Sequence, residues 1–130
     1  MIEEAEKIYR CPLELSMDLI GGKWKCVILW HLRKHRLRFS QLKRMMPGIT
    51  PKMLTQQLRD LEENGLVHRE VYAVIPPKVE YSLTEDGKTF LPVLHSMYKW
   101  GINYADQFDI TIDTSLQENI IKQELSVSKK

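Results

Sequence analysis

The sequence predicts a mainly α-helical (α+β) domain carrying one small β-hairpin. Three observations lead there. Apolar residues recur at helical spacing on both sides of a Pro47-Gly48 turn, the period changes to two after Gly65, and a long helical pattern resumes after Thr84. A length of 130 residues sets one compact domain. We delimit it as 11–108, with an extension at 1–10 and a tail at 109–130. Two Cys exclude a disulfide framework, and no apolar run is long enough to span a membrane. The polar, acidic start MIEEAEKIYR is not a signal peptide, so the expected location is cytoplasmic.

Pro12 opens a short helix over 12–20, with Leu13, Met17 and Ile20 on one side, and Gly21-Gly22 ends it. Residues 23–35 read as a second helix, with Trp24, Val27, Ile28, His31 and Leu32 as its buried stripe. Ser40 is read as the N-cap of a third helix, with Phe39 before it as a hydrophobic staple. Thr50 caps a fourth, with Pro51 at its first position and Gly65 beyond its end. Leu54, Leu58 and Leu61 make the buried face of that helix.

Val67, Arg69 and Val71 then alternate with polar neighbours, as do Val79, Tyr81 and Leu83 beyond Pro76-Pro77, which is a hairpin pattern. Thr84 caps a last long helix reaching about Phe108, in which Pro92 predicts a kink or a break. Two short helices around a Pro-Gly turn, followed by a hairpin, define a winged helix-turn-helix.

Fixing the three leucines inward turns Lys52, Thr55, Gln56 and Arg59 outward as one stripe. Gln pairs bidentately with adenine and Arg with guanine, while Thr reaches a thymine methyl or a phosphate. Thr50 and the helix N-terminus offer donors to a phosphate. Arg38, Ser40 and Lys43 are placed to clamp the backbone, and Arg69 and Lys78 to reach from the wing. Asp60, Glu62 and Glu63 are expected at the far end of the helix, away from the groove.

The formal net charge of +2 alone argues against a polyanionic partner, but it is an average. Leu19 to Arg59 holds ten Lys or Arg and no acid, and the acidic residues flank that block. Such a block is the footprint of a polyanion binder, although a merely solvated basic surface has the same composition.

Three segments carry a family resemblance: CPLELSMDLIGGKWK (11–25), RFSQLKRMMPGITPKMLTQQLRDLEENGLVHR (38–69) and VIPPKVEYSLTEDGK (74–88). In these the chain resembles the HxlR family of bacterial transcription regulators, winged-helix relatives of the MarR group, over about residues 11 to 103. The resemblance implies a homodimer that binds a specific DNA operator, usually as a repressor and sometimes as an activator. It implies a recognition helix at Thr50–Asn64 and a wing at Leu66–Leu83. It also implies that the first and last helices carry the dimer interface.

The residues of the last helix support an interface separately. From Phe90 to Ala105 its apolar arc is wider than one packed side requires, leaving a narrow polar stripe. One buried side with some exposed apolar residues is the competing account. The interface set is Leu13, Met17, Leu94, Met97, Tyr98 and Tyr104.

Cys11 stands at a helix N-terminus beside Arg10, a setting that favours the thiolate. Some family members sense electrophiles or oxidants through a Cys at the matching position. The two readings are therefore a redox sensor, answering an electrophile or a small thiol, and a structural thiol in the interface. Cys26, in an apolar helix, reads as an inert core thiol.

His31 and His35 are spaced i, i+4 but lack a third ligand, so no metal is implied. No P-loop, dinucleotide fingerprint or nucleophile elbow is present, so neither a cofactor nor catalysis is implied. In the tail, Leu116, Ile120 and Leu125 suit a short amphipathic helix capped by Ser115, and Ser126–Lys130 are expected to be disordered. Two other functions fit the same fold: a winged-helix module that binds a protein, and a repressor that answers a small molecule.

Overall fold

The structure, a computed structural model, describes residues 7–128, with side chains to residue 123. It is a winged helix-turn-helix with the order α1 (Pro12–Ile20), α2 (Lys25–His31), α3 (Phe39–Met45), α4 (Pro51–Glu63), β1 (Val67–Tyr72), β2 (Lys78–Leu83), α5 (Glu85–Lys88), α6 (Leu91–Gln107) and α7 (Ser115–Ser128). Residues 1–6 of the extension, the last two of the tail and the side chain of Leu125 lie outside the described part. Among the described residues no helix is long and apolar enough to cross a membrane.

α1 keeps its expected bounds, with Pro12 in the first turn and Gly21 donating its N–H to the Met17 carbonyl. α2 is shorter than its apolar pattern and stops at His31. The Arg33 side chain takes the Trp30 carbonyl at 2.9 Å, and the chain then turns so that Leu37 can reach the hairpin. Leu37 and Tyr81 exchange both backbone hydrogen bonds, at 3.0 and 2.8 Å. One residue thus acts as a third strand, and a single residue leaves no periodic trace in the sequence. The buried stripe of α2 is Ile28, Leu29, His31 and Leu32, whereas Val27 and Trp24 are only half-buried.

The extended backbone of Arg38, continuous with that pairing, makes Arg38 rather than Ser40 the N-cap of α3. The Gln41 side-chain oxygen accepts the Arg38 N–H at 2.7 Å. Phe39 becomes the first helical residue and packs against the core instead of stapling from outside. α4 forms as the sequence predicts. The Thr50 hydroxyl oxygen accepts the Met53 N–H, Pro51 occupies the first turn, and Gly65 takes the positive φ of 74° that ends the helix. Leu54, Leu58 and Leu61 are fully buried with Ile28, Leu29, Leu42, Met45 and Ile49.

The hairpin pairs Val67 with Leu83, Arg69 with Tyr81 and Val71 with Val79. Val67, Tyr81 and Leu83 join the core at its base. The Thr84 hydroxyl caps α5, and Gly87 lies so close beneath the Leu66 carbonyl that an added Cβ would fall 2.1 Å from its oxygen. The predicted interruption near Pro92 is a break. α5 closes at Lys88, and α6 restarts at Leu91 with Pro92 in its first turn, where no N–H is missed.

The tail carries a helix longer than the short one expected. α7 starts at Ser115, one residue after the Thr114 whose carbonyl accepts the Glu118 N–H, so Ser115 is not the cap. The helix continues through Ser128, past the point where disorder was expected. Ile120 is buried against the core, and the Gln117 amide donates to the Met45 carbonyl of α3 at 3.1 Å. Leu116 stays exposed.

His31 is the buried polar residue at the foot of α2. Burial, with the nearby Arg33 charge second, pulls its imidazole from 6.5 down to about 4. The fold therefore holds it neutral while the unfolded chain can protonate it. Its contribution is fully present above about pH 6.5 and is lost as pH falls from there towards about 4. Between about pH 7 and about pH 5 the urea-unfolding free energy should drop by about 2 kcal/mol from this group. A His31→Leu variant should lack that drop, and an equal drop in the variant would refute the assignment.

Candidate nucleic-acid interface

Burial of the three leucines fixes the rotation of α4, and Lys52, Gln56 and Arg59 consequently face solvent, with Thr55 half-buried beside them. The four residues share one face, as the spacing predicts. Thr50 is exposed at the head of the helix; its oxygen is used by the Met53 N–H, but its hydroxyl proton can still be donated. Arg38 and Ser40 are exposed at the start of α3, and Lys43 is half-buried one turn later.

The acids of α4 are not set apart from this face as expected. The Gln56 amide donates to Asp60 at 2.9 Å, and the other Asp60 oxygen lies 3.3 Å from the ammonium of Lys25. Lys25 is largely covered, so one cation of the basic block is turned inward to neutralise Asp60. Glu62 and Glu63 line a cleft of about 610 Å³ between α4 and the hairpin, together with Thr55, Arg59 and Arg69. A helix returns to the same face every three or four residues, so acids at the C-terminal end still come round beside Thr55 and Arg59.

On the wing, Arg69 stands opposite Tyr81 near the base of the hairpin, beside those two glutamates. Lys78 opens β2 at the tip end, with its ammonium 5.0 Å from the Tyr72 ring centre and 3.8 Å from Glu80. The Tyr72 hydroxyl accepts a hydrogen bond from Arg36 at 3.1 Å. The sequence reading missed the Arg36 tie and the inward Lys25. Both depend on contacts between distant segments that no local pattern reports.

A second surface lies on α1 and α6. Leu13 and Met17 are exposed on α1, as are Met97, Tyr98 and Tyr104 on α6. Leu94 does not belong with them. It is 4% exposed and packs into the core of its own domain, because it and Ala105 are the positions of α6 that face inward. Trp100 and Phe108, outside the expected set, are exposed and continue a ladder in which Trp100 stacks on Tyr104 and Tyr104 packs at a tilt against Phe108, at 5.1 and 4.6 Å between ring centres. Tyr98 instead stacks on Trp30 at 4.7 Å.

Cys11 is exposed and is the N-cap residue of α1, where its sulfur makes no capping bond. Cys26 is half-buried, its thiol donates towards the Ile20 carbonyl at 3.6 Å, and burial pushes its pKa up. The thiolate is therefore disfavoured at Cys26, the setting of an inert thiol.

A basic helix-turn-helix with an outward polar stripe on its second helix and a hairpin wing beside it is the architecture of a DNA-binding transcriptional regulator. Residues 19–109 match the HxlR-like helix-turn-helix family, and the chain belongs to it. The HTH-type transcriptional regulator YdeP of Bacillus subtilis (strain 168) is 52% identical over 99 residues, 76% of this chain and 77% of that protein. YtcD of the same strain is 47% identical over 124 residues, 92% of this chain and 98% of its own length. Among solved structures, the redox regulator HypR in its oxidised form superimposes with a TM-score of 0.70 at 52% identity, over 72% of this chain and 96% of that one. The reduced form of YodB from B. subtilis does so with a TM-score of 0.63 at 37% identity, over 77% and 95%. All four of these proteins are named as regulators.

Leu94→Ala should lower the unfolding free energy by about 2–5 kcal/mol, as for other buried leucines. Chemical denaturation should show that loss equally at low and high protein concentration. A cost that grows with dilution would return Leu94 to an interface between copies.

Proposed function

We propose that this regulator acts as a homodimer on a palindromic double-stranded DNA operator, as a repressor, and that oxidation or alkylation of Cys11 changes its grip on that operator. The observation that carries the DNA reading is the exposed Lys52, Thr55, Gln56 and Arg59 face, held outward by the buried leucines. Lys52 and Thr50, at the head of the helix, suit phosphate contacts; Gln56 and Arg59 suit base edges. Arg38, Ser40 and Lys43 supply further backbone contacts from α3, with Lys78 and Arg69 contributing from the wing. Asp60 holds the Gln56 amide in the free protein, so base contact requires Gln56 to exchange that bond for one to the operator.

The dimer reading rests on α1 and α6, whose apolar side chains stay exposed in a single subunit. The two-fold symmetry of such a pair requires half-sites about 34–36 Å apart, or a multiple of that. The redox reading rests on the exposure of Cys11 and on relatives solved as redox regulators. In the oxidation, two thiols (Cys11 of two subunits, or Cys11 and a small thiol) lose two protons and two electrons to an oxidant such as diamide. A disulfide forms and diamide becomes its hydrazine.

Selection of bound genomic fragments followed by gel shift tests the operator reading. Affinity should fall steeply with salt, and Lys52→Ala should weaken binding to all sequences about equally. Gln56→Ala and Arg59→Ala should each relax preference at one base position, by about 1–3 kcal/mol. Silence of all three variants would sink this face as the DNA contact and leave a protein-binding module. For the switch, diamide should alter operator binding of the wild type but not of Cys11→Ser. Unchanged wild-type binding after oxidation would exclude it.

A further inference from the structure

The tip of the hairpin departs from ordinary turn chemistry. Connections between strands favour Gly, Asn, Asp and Ser. Residues 73–77 are instead Ala, Val, Ile, Pro and Pro, and all five are exposed. Ile75 is as open to water as in an extended peptide, at 102% exposure, and Val74 is exposed beside it. None of the five belongs to the core or packs against it, so the fold gives no reason for an aliphatic tip. From Val71 to Val79 the one charged residue is Lys78.

We propose that Ile75, backed by Val74, is an apolar wedge that enters the minor groove beside each half-site, opens one base step and kinks the operator. This rests on the DNA reading above and adds a base step that is recognised without a hydrogen bond. Ile and Pro are among the side chains that unstack such steps.

Charge supports a duplex as the occupant. Two cations meet on Tyr72, at the tip end of β1. The Lys78 ammonium lies 5.0 Å from its ring centre, and an Arg36 N–H donates to its hydroxyl at 3.1 Å. Glu80, 3.8 Å from that ammonium, has a side chain 20% exposed against 37% for Lys78, so the cation is the more accessible member of the pair. An apolar point with cations behind it suits a groove floored by stacked bases and walled by phosphates.

Stiffness and extent support it as well. Pro76 and Pro77 fix their own φ, and the Val74 N–H is bonded to the Tyr72 carbonyl at 2.9 Å, so the tip loses little freedom on insertion. Two aliphatic side chains and two prolines are far too few for a protein interface, which buries about 1,200–2,000 Å². One Lys beside so small an apolar group also falls short of a lipid anchor. A base step, by contrast, takes one or two side chains. The base of the same hairpin shares a cleft with Thr55 and Arg59, so docking of α4 brings the wing to the duplex with it. Pyrimidine–purine steps open most easily, so the operator should carry TA or CA/TG where the tip enters.

The test uses the full chain and a short duplex from the selected genomic fragments, end-labelled for energy transfer and scanned with 2-aminopurine. The wild type should raise energy transfer, because a kink of about 20–90° draws the ends together, and should brighten 2-aminopurine at one step per half-site. Val74→Ser/Ile75→Ser, altered only at exposed positions, should keep the wild-type unfolding curve, lose both signals and bind about tenfold more weakly. Replacing the brightened step by GG/CC should weaken the wild type and leave the double variant unaffected. No brightened step with the wild type, or equal bending by the double variant, overturns the proposal. So does a double variant whose defect is lost self-association without DNA, or lost binding to phosphatidylserine–phosphatidylcholine vesicles, since the tip would then be a protein or lipid contact. Lys52→Ala separates the two readings. If no duplex is bound in a Lys52-dependent way, the α4 face fails and the wedge with it; Lys52-dependent binding that ignores the tip defeats the wedge alone.

Discussion

Burial of Leu54, Leu58 and Leu61 is the constraint on which the rest of the structure depends. Each is 2% exposed or less, and together they lock α4 against Ile28, Leu29 and Leu42. A helix held by three residues over two turns has one rotational setting, because any turn about its axis would expose a leucine and bury Lys52 or Arg59. Each buried leucine contributes on the order of 1.5–3 kcal/mol. The outward direction of the polar stripe is thus set by the core and not by the stripe itself. This is why a surface of flexible, mutually repelling side chains keeps a defined face.

The second organising contact is the Leu37–Tyr81 pairing. It ends α2 early, places Arg38 in the extended conformation that starts α3, and anchors β2 through a residue whose partner on β1 is Arg69. A two-stranded hairpin alone is marginal in water, so the wing needs this third partner and the packing of Val67, Tyr81 and Leu83 beneath it. At the base of the hairpin, the close approach of Gly87 to the Leu66 carbonyl seats α5 directly under the end of α4. Wing and recognition helix are thereby tied to one another at the base of the hairpin, where the acidic and basic residues of their shared cleft meet.

Much of this was legible in the sequence where structure follows local rules. The Thr50 cap, Pro51, the three leucines and Gly65 define α4 to the residue at its start, because capping and period are local properties. The alternation of Val67, Val71, Val79 and Leu83 gave the hairpin, whose register only the structure supplies. What escaped came from contacts across the chain. α2 was read too long because nothing in its apolar pattern announces that Leu37 is needed elsewhere. Ser40 looked like a cap because its residue type favours one, yet the cap was decided by the pairing of Leu37. Leu94 could not be told from Met97 or Tyr98, since all three are apolar and only packing reveals which side of α6 the domain takes. Lys25 counted as surface charge until its pairing with Asp60 was seen.

α6 raises the remaining physical question, because its composition and its burial disagree. It is 17 residues long and carries aromatic and aliphatic groups all round, but within the subunit only Leu94 and Ala105 are buried. Trp100 is 67% exposed, and its stacking on Tyr104 orders the ladder without removing it from water. Apolar side chains stay exposed along α6 from Val93 to Phe108, and Leu13 and Met17 of α1 are exposed as well, more than isolated domains usually leave to solvent. Under the dimeric reading the two helices meet their copies across a two-fold axis, the symmetry that lets one patch cover itself. The N-cap residue of α1 is Cys11, so chemistry at that sulfur takes place at the start of the helix that carries Leu13 and Met17. In the proposed switch, a disulfide or an adduct there changes how α1 packs. The recognition helices are rigidly fixed to their own cores by the leucines, so they can respond to such a change only by moving as whole domains. In the proposed dimer, coupling between thiol and operator would therefore require no rearrangement inside the winged helix, only a new angle between two of them.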